Sequence, residues 1–292
     1  MNTTRRKFLK TAAAGMAVTA LSGSLMSCFS GADSSGGTLK KFGIQLYTLR
    51  DILSADPKGI LKQLAAMGYK QIESYEGNKG MFWGMKNTEF KKYMDDLGME
   101  IVASHCSLDK NFERKVAEAG EIGISYLIDP WIGPQKTMEI FRKKADEFNR
   151  AGEICNKAGL KYAYHNHAYS FEPLEGAMPQ DVLMQNTDHA LVDFEMDIYW
   201  VHTAGEDPVK WLEKYPNRFR LCHIKDRIKN APHNDENHSI AAGQGEIDFP
   251  KILKVAKKQG MKYFLIEQER YDHTTPIEAA EINAKYLKNL VF

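Results

Sequence analysis

The chain has 292 residues, of which 43% are apolar and 26% are charged, and its formal net charge is +1. Residues 1–27 contain Arg5, Arg6, Lys7 and Lys10 and no acidic residue, so the rest of the chain has a net charge of −3 and lacks the basic surface that nucleic-acid binding requires. After residue 27, no apolar run approaches the ~20 residues that span a bilayer.

The N-terminal segment predicts export. Residues 4–10 are positively charged, and residues 11–26 form a short run of small and apolar residues that is typical of a signal peptide. The arginine pair resembles a twin-arginine signal, and residues 25–28 resemble a bacterial lipobox, with Cys28 as the lipid-bearing residue. A general secretory signal with an incidental cysteine is the alternative. The resemblance implies an exported lipoprotein of a bacterium, periplasmic or membrane-anchored, that contacts the membrane only through Cys28.

A tether and a single folded domain follow the signal segment. Residues 28–40 are rich in glycine and serine, which predicts a flexible tether after the removal of residues 1–27. From residue 41 to residue 292, strand and helix patterns alternate. We predict strands at residues 42–47, 69–75, 99–104, 124–129, 161–166, 191–196, 218–224 and 262–267. We predict helices at residues 57–67, 88–97, 108–119, 137–158, 179–185, 208–214, 249–258 and 276–289.

This alternation predicts the fold. Strict repetition of strand and helix indicates a parallel sheet, and eight repeats in about 250 residues indicate a single-domain (β/α)8 TIM barrel. An open, doubly wound sheet is the alternative, but residues 47–50 after the first strand lack the glycine-rich loop that binds a dinucleotide. Residues 226–245 have no periodicity and are rich in Asn, Asp and His, which predicts a lid or substrate loop.

The last four strands end in side chains of the types that bind metal ions. These are His165 and His167 on the fifth strand, Glu195 and Asp197 on the sixth, His223 on the seventh and Glu267 on the eighth. Because the carboxyl ends of parallel strands share one face of a barrel, the pattern predicts a metal site there. A single histidine at a strand end is often only a hydrogen-bonding residue, and an acidic residue there is often a helix cap. The repetition on four strands favours the metal site.

The order and spacing of these motifs resemble the xylose isomerase-like TIM-barrel family, the sugar phosphate isomerase/epimerase group, over residues 42–290. The resemblance lies in EMDIYWVHTAGEDP at residues 195–208, HIKD at 223–226, IEQE at 266–269 and GQGEIDF at 243–249. Family members hold one divalent ion (Mn, Mg, Co or Zn) through Glu, Asp, His and Glu on strands five to eight. The resemblance therefore implies that Asp197, His223 and Glu267 are ligands. His165 stands in place of the first Glu, with His167 and Glu195 as alternates.

The histidines of the fifth strand also bear on the reaction. His-x-His at this strand resembles the inosose dehydratase branch and related enzymes that eliminate across C1–C2 of 3-keto-glycosides. The chemistry common to all branches is removal of a proton next to a sugar carbonyl, with the enediolate stabilised by the metal. For proton transfer we consider Glu267, Glu73 and His105, with Lys225 stabilising charge. As alternatives, Glu73 caps a loop, His105 is a rim hydrogen-bonding residue, and Lys225 is held in an ion pair.

Four functions are weighed. The first is a metal-dependent isomerase or epimerase of a keto-sugar, and the second is a lyase or hydratase acting on a keto-glycoside, which export favours over a phosphorylated sugar. The third is a lipid-anchored sugar-binding protein without catalysis. A nuclease, the fourth, requires a basic face that the chain lacks. The residues expected to contact a small-molecule sugar are Tyr47, Asn166, Trp200 and Glu269. Related barrels are often oligomers, so the resemblance allows a homo-oligomer.

Overall fold

The computed structural model describes residues 37–233, 235 and 237–292. The predicted signal peptide, the predicted lipid anchor at Cys28 and most of the predicted tether lie outside these residues. Within them, no helix combines the length and the apolar character needed to cross a bilayer.

The predicted barrel is confirmed. Within the described residues, eight parallel strands close in the order β1-β10-β7-β6-β5-β4-β3-β2. They are β1 (Gly43–Gln45), β2 (Gln71–Tyr75), β3 (Glu100–His105), β4 (Tyr126–Asp129), β5 (Lys161–His165), β6 (Val192–Asp197), β7 (Phe219–Ile224) and β10 (Tyr263–Ile266). Gly43 pairs with both Leu265 and Gln71 where the barrel closes. A Cβ on this glycine would lie 2.5 Å from Leu265 Cδ2, so only glycine fits between the two strands.

The helices surround the barrel. They are α1 (Arg50–Leu53), α2 (Pro57–Met67), α3 (Asn87–Asp96), α4 (Phe112–Glu121), α5 (Met138–Lys157), α6 (Pro179–Gln185), α7 (Ile198–Thr203), α8 (Pro208–Lys214), α9 (Phe249–Lys258) and α10 (Pro276–Asn289). Short 3-10 helices cover Leu46–Leu49 and Ala168–Phe171. Asp56, Asp207 and Asp248 cap their helices through backbone N–H groups, which is why the predicted helix starts agree with the structure.

Three local features differ from the predictions. The first strand ends at Gln45, so Tyr47 lies in a 3-10 helix and not on the strand. Helix α7 was not predicted, because its sequence IYWVHT is rich in residues that favour strands. The loop predicted at residues 226–245 contains a small hairpin of β8 (Asp226–Arg227) and β9 (Ser239–Ile240).

The barrel interior changes from apolar to polar along the strands. Ala163, Leu221 and Leu265 are fully buried, and each precedes a polar strand-end residue by two positions. Because alternate residues of a strand face the same way, His165, His223 and Glu267 point into the same interior, one layer closer to the carboxyl ends. The apolar layer therefore lies directly beneath these polar residues in the barrel interior.

Gly37 and Thr38, which were assigned to the tether, belong to the folded domain. The Gly37 N–H donates to Phe292 O at 2.6 Å, and the Phe292 N–H donates to Gly37 O at 2.9 Å. Thr38 forms an antiparallel bridge with Val291. The domain therefore begins a few residues before the predicted boundary at residue 41.

Candidate functional site

Four buried side chains meet at the carboxyl ends of the last four strands. They are His165, Asp197, His223 and Glu267, named here the outer set, and their potential ligand atoms lie within 4.8 Å of one another. His165 Nε2 lies 3.2 Å from His223 Nδ1 and 3.4 Å from Asp197 Oδ2. Glu267 Oε2 lies 3.3 Å from His223 Nδ1. The side chains on which the metal prediction depends are thus brought together.

The spacing in the outer set suits a divalent cation. Ligand atoms bound at ~2.0–2.1 Å in a tetrahedron lie ~3.3–3.4 Å apart, close to the separations observed here. Asp197 Oδ2 is buried and has no hydrogen-bond partner among the described residues. Two imidazole nitrogens and two carboxylates are also the donor types that such ions take. The residues present therefore fit a metal ion.

The chain before and after Asp197 fixes the orientation of its carboxylate. Asp197 is the N-cap of α7, and its Oδ1 accepts a hydrogen bond from the Trp200 N–H at 3.2 Å. The side chain of Asn166 holds the Asp197 backbone by donating to its O and accepting from its N–H, both at 3.2 Å. With Oδ1 occupied by the helix, Oδ2 remains directed at the two histidines.

A second group lies on the other side of His223, deeper in the barrel. We name Glu73, His105 and Glu195 the inner set; together with His223 Nε2 they offer potential ligand atoms within 4.8 Å of one another. Glu73 Oε1 lies 2.7 Å from His223 Nε2, 3.0 Å from His105 Nε2 and 2.5 Å from the Gln45 amide nitrogen. Glu195 Oε2 lies 2.9 Å from His105 Nε2. The inner set is thus a buried hydrogen-bonded network that supports His223.

Burial and charge set the protonation states in both sets. Burial lowers the pKa of His165 to about 4, which keeps this imidazole neutral. Burial opposes ionisation of Asp197 and Glu267, but the Lys225 ammonium and the neighbouring histidines together outweigh it and lower the pKa of both carboxyls. A neutral imidazole, as at His165, and ionised carboxylates are the forms that bind a metal ion. Burial opposes protonation of His223, but the surrounding carboxylates raise its pKa, so a bound metal ion would displace a proton from this imidazole.

The inner set carries its charge differently. Burial opposes protonation of His105, but the Glu73 and Glu195 carboxylates raise its pKa to about 9. Burial and the neighbouring Glu73 charge raise the pKa of Glu195 to about 8. Glu73 and Glu195 therefore both contact the protonated imidazole of His105 in the interior of the barrel.

A cavity of about 410 Å³ opens above the outer set. His105, His165 and Glu267 lie on its inner side. Its walls are largely aromatic, from Tyr47, Tyr75, Trp131 and His167, and Glu269 stands at its edge. A cavity of this size, with aromatic walls and several polar side chains, is typical of a small-molecule site.

Lys225 is buried beside this cavity. Its Nζ contacts the Glu269 carboxylate, lies 3.3 Å from Glu267 Oε2, and stands 4.6 Å from the centroid of the Trp200 ring. Trp200, Lys225 and Glu269 line an adjoining cavity of about 310 Å³. An ion pair was the alternative role of Lys225 considered from the sequence, and the contacts of Lys225 in the structure agree with that alternative.

The remaining predicted site residues fall in several places. Asn166 does not line the cavity, because its amide is used by the backbone of Asp197. Glu73 is fully buried in the barrel and does not reach the cavity, because it lies in the middle of β2 and not at its end. His167 lines the cavity but belongs to neither set, and Glu195 lies in the inner set.

Six cavity residues were not among the predicted site residues: Tyr75, Glu76, Cys106, Ser107, Pro130 and Trp131. Two of them contact each other. Glu76 and Ser107 line the cavity and are joined by a hydrogen bond of 3.2 Å between Ser107 Oγ and Glu76 Oε2. Glu76 follows the end of β2 and Ser107 follows the end of β3. Their position after a predicted strand end is the sequence signal that could have identified them.

The sequence profile of the xylose isomerase-like TIM barrel matches residues 61–290, most of the chain. The chain belongs to the xylose isomerase-like TIM-barrel family. A solved sugar phosphate isomerase/epimerase from Parabacteroides distasonis superimposes with a TM-score of 0.72 at 30% identity, over 88% of this chain and 96% of that one. The family resemblance expected from the sequence is thereby confirmed.

Curated relatives of this chain are named inosose dehydratase. That of Bacillus licheniformis is 28% identical over 220 residues, which cover 68% of this chain and 73% of the relative. That of Clostridium perfringens is 27% identical over 164 residues, 51% of this chain. The alignment with the latter spans only 54% of that relative's length.

Proposed function

We propose that this chain is a divalent-metal-dependent carbohydrate enzyme that removes a proton from the carbon next to a sugar carbonyl. The supporting observation is the outer set, whose four buried ligand side chains lie beneath a cavity large enough for a sugar. A divalent ion bound by His165, Asp197, His223 and Glu267 would supply Lewis-acid polarisation of the carbonyl oxygen.

The side chains of the cavity would do the rest. Glu267 lines the cavity and is ionised, so its carboxylate is a candidate to take the proton from carbon. His105 lines the same cavity and is held by Glu195 at 2.9 Å, so it is a second candidate for proton transfer. Lys225 would place a positive charge beside the reacting oxygens, while Trp200 and the cavity walls exclude water.

Two outcomes are compatible with proton removal. Return of the proton to a neighbouring carbon or to the opposite face gives isomerisation or epimerisation. Loss of an oxygen substituent from the next carbon gives elimination, which also needs a group that protonates the leaving oxygen. Two observations support elimination as the second candidate reaction. The curated relatives are named dehydratases, and the cavity is lined both by Glu267, a candidate base, and by His105, a candidate acid.

The test begins with metal. We would measure the metal content of the whole protein, purified without a histidine tag, beside the variants Asp197→Ala and His223→Ala. His202→Ala serves as the matched control, because His202 binds Glu246 outside both sets. We expect about one ion per chain in the wild type and in His202→Ala, and loss of that ion in the other two variants. Equal metal content in all four proteins contradicts the proposed site.

The reaction is read by NMR in deuterated water. Candidate substrates are free ketoses, an inosose and 3-keto-glucosides. Exchange of a C–H proton with product of the same composition indicates isomerisation or epimerisation, whereas loss of water or of a glycosidic substituent indicates elimination. Stoichiometric metal and sugar binding without either change contradicts the proposed catalysis.

A further inference from the structure

Exposed aromatic side chains concentrate at one place on the described surface. Among the described residues, three large apolar side chains are exposed: Tyr47 at 39%, Trp131 at 55% and Val291 at 53%. Val291 lies beside the paired chain ends, whereas Tyr47 and Trp131 both line the cavity above the outer set. Exposed rings grouped at a cavity mouth are a recognised mark of a binding surface.

Trp131 is held in place although it is exposed. Its ring meets the His167 and Tyr169 rings at nearly right angles, with centroids 4.5 and 5.0 Å away. Its backbone N–H donates to the buried Asp129 Oδ1 at 3.2 Å. Trp131 lines both the larger cavity and the adjoining one of about 310 Å³, so it lies where the two meet.

Tyr47 is fixed in the same way. Its ring packs edge-on against Tyr75 with a centroid distance of 5.2 Å, and the Arg50 guanidinium lies 4.8 Å from its ring centroid. Both exposed rings are therefore ordered before any ligand arrives. Preordered aromatic rings bind with little loss of side-chain entropy, which favours stacking against a flat ring.

The charges around the cavity argue against a phosphorylated ligand. The lining of the larger cavity includes three glutamates and neither lysine nor arginine. Glu76 pairs with Lys115 at 2.6 Å, and Glu267 and Glu269 both contact Lys225. In the adjoining cavity, Lys225 is paired with Glu269, and Arg50 donates to the Glu269 backbone carbonyl at 2.7 Å. A phosphate dianion would thus meet acidic side chains and cations that already have partners, which disfavours it.

We propose that Trp131 and Tyr47 form an outer subsite that binds the second ring, sugar or aryl, of an uncharged glycoside. The first ring lies at the outer set, and this part of the proposal rests on the proposed function. The ligand is thus a two-ring, non-phosphorylated glycoside, and the rings at the mouth select for the second ring.

The test measures equilibrium binding of unreactive probes to the whole metal-loaded protein by calorimetry. The probes are methyl glucosides and phenyl glucosides, each as both anomers, and glucose 6-phosphate. We expect one phenyl glucoside to bind about three- to tenfold more tightly than its methyl counterpart, and glucose 6-phosphate to bind no better than the methyl glucosides. Trp131→Ala should remove most of the preference for the phenyl glucoside, because it should weaken binding of the phenyl glucoside far more than binding of the methyl glucoside.

Two further variants act as controls. Val291→Ala removes the third exposed apolar side chain, away from the cavity, and should keep the wild-type preference. Trp131→Phe keeps a ring and should keep part of it. Circular dichroism verifies that each variant is folded, which the exposure of Trp131 leads us to expect.

Several results overturn the outer subsite: an undiminished preference in Trp131→Ala, no preference in the wild type, and tighter binding of glucose 6-phosphate. Equal weakening of both glucosides by Trp131→Ala also overturns it, because Trp131 would then contact the first ring. These results are separable from failure of the proposed function. Absence of metal and turnover with an intact phenyl preference contradicts the enzyme and supports the subsite.

Discussion

The imidazole of His223 joins the two sets: its Nδ1 faces His165 and Glu267, while its Nε2 lies 2.7 Å from Glu73 Oε1. An imidazole that binds a metal through Nδ1 keeps its proton on Nε2 and needs an acceptor for it. Glu73 is the nearest acceptor, and it is fully buried. The carboxylate therefore fixes both the tautomer and the ring orientation that a metal at the outer set requires.

Glu73→Gln should weaken metal binding by about 10- to 100-fold, because a neutral acceptor makes His223 a poorer ligand. The measurement is metal affinity by competition with a chelator of known affinity. Glu100→Gln is the control, since Glu100 is exposed and bonded to Lys41 at the opposite end of β3. Unchanged affinity in Glu73→Gln would show that the inner set does not act on the metal ligand.

Metal should stabilise the fold through the outer set. At a free concentration 100 times Kd, a bound ion adds about 2.7 kcal/mol to the free energy of unfolding. For a domain of this size that corresponds to a rise in Tm of about 5–10 °C. Differential scanning fluorimetry with and without added Mn²⁺ or Zn²⁺ measures it. Asp197→Ala should lose the shift; a shift of equal size in that variant would place the bound ion elsewhere.

Asp129 should make stability depend on pH. Burial raises its pKa to about 6, so the folded state disfavours the charged form. This destabilisation is absent below the unfolded pKa near 4, grows as pH rises, and is complete above about 6. Asp129→Asn should therefore be more stable than the wild type at pH 8, by up to about 3 kcal/mol, and equal to it at pH 4. Urea unfolding at both pH values provides the measurement, and a pH-independent difference would contradict the assignment.

Asp226 should hold the loop that follows β9. Its carboxylate accepts hydrogen bonds from the backbone N–H groups of Arg227, Gly243, Gly245 and Ile247, at 2.8 to 3.2 Å. Asp226→Ala leaves these donors without a partner and should reduce the free energy of unfolding by about 3 kcal/mol or more. Amide hydrogen exchange should accelerate at Gly243 and Gly245.

The control for this prediction is Asp248→Ala, which removes only the N-cap of α9 and should reduce the free energy of unfolding by about 1 kcal/mol. Similar losses in the two variants, or unaltered exchange at Gly243, would mean that Asp226 is one ordinary cap among several.

The sequence indicated much of this architecture, for reasons that can be named. Alternation of strand and helix predicted the barrel, and strand ends are where a parallel barrel gathers its polar residues, so His165, Asp197, His223 and Glu267 could be grouped in advance. The period of two also predicted that Glu195 and Asp197 share a face. These inferences needed only local spacing.

Other features depend on contacts across the barrel. Glu73 and His223 are 150 positions apart, and no local spacing indicates that their side chains meet. Asn166 lies between two histidines, but its amide pairs with the backbone of a neighbouring strand, which depends on strand register. Helix α7 forms because Asp197 caps it, although its aromatic and β-branched residues favour a strand. In the first two cases a tertiary partner decides the arrangement, whereas in the third a local cap overrides the strand preference of the helix residues.

The hydrogen bonds between Gly37 and Phe292 make the folded polypeptide nearly a closed ring. A short peptide could join these two residues without reaching across the domain, and the chain could then be opened at an exposed loop between any two strand–helix units. The register of the barrel depends on which strands are neighbours and not on which one is made first. The fold therefore requires the cyclic order of its strand–helix units, but not this particular starting point.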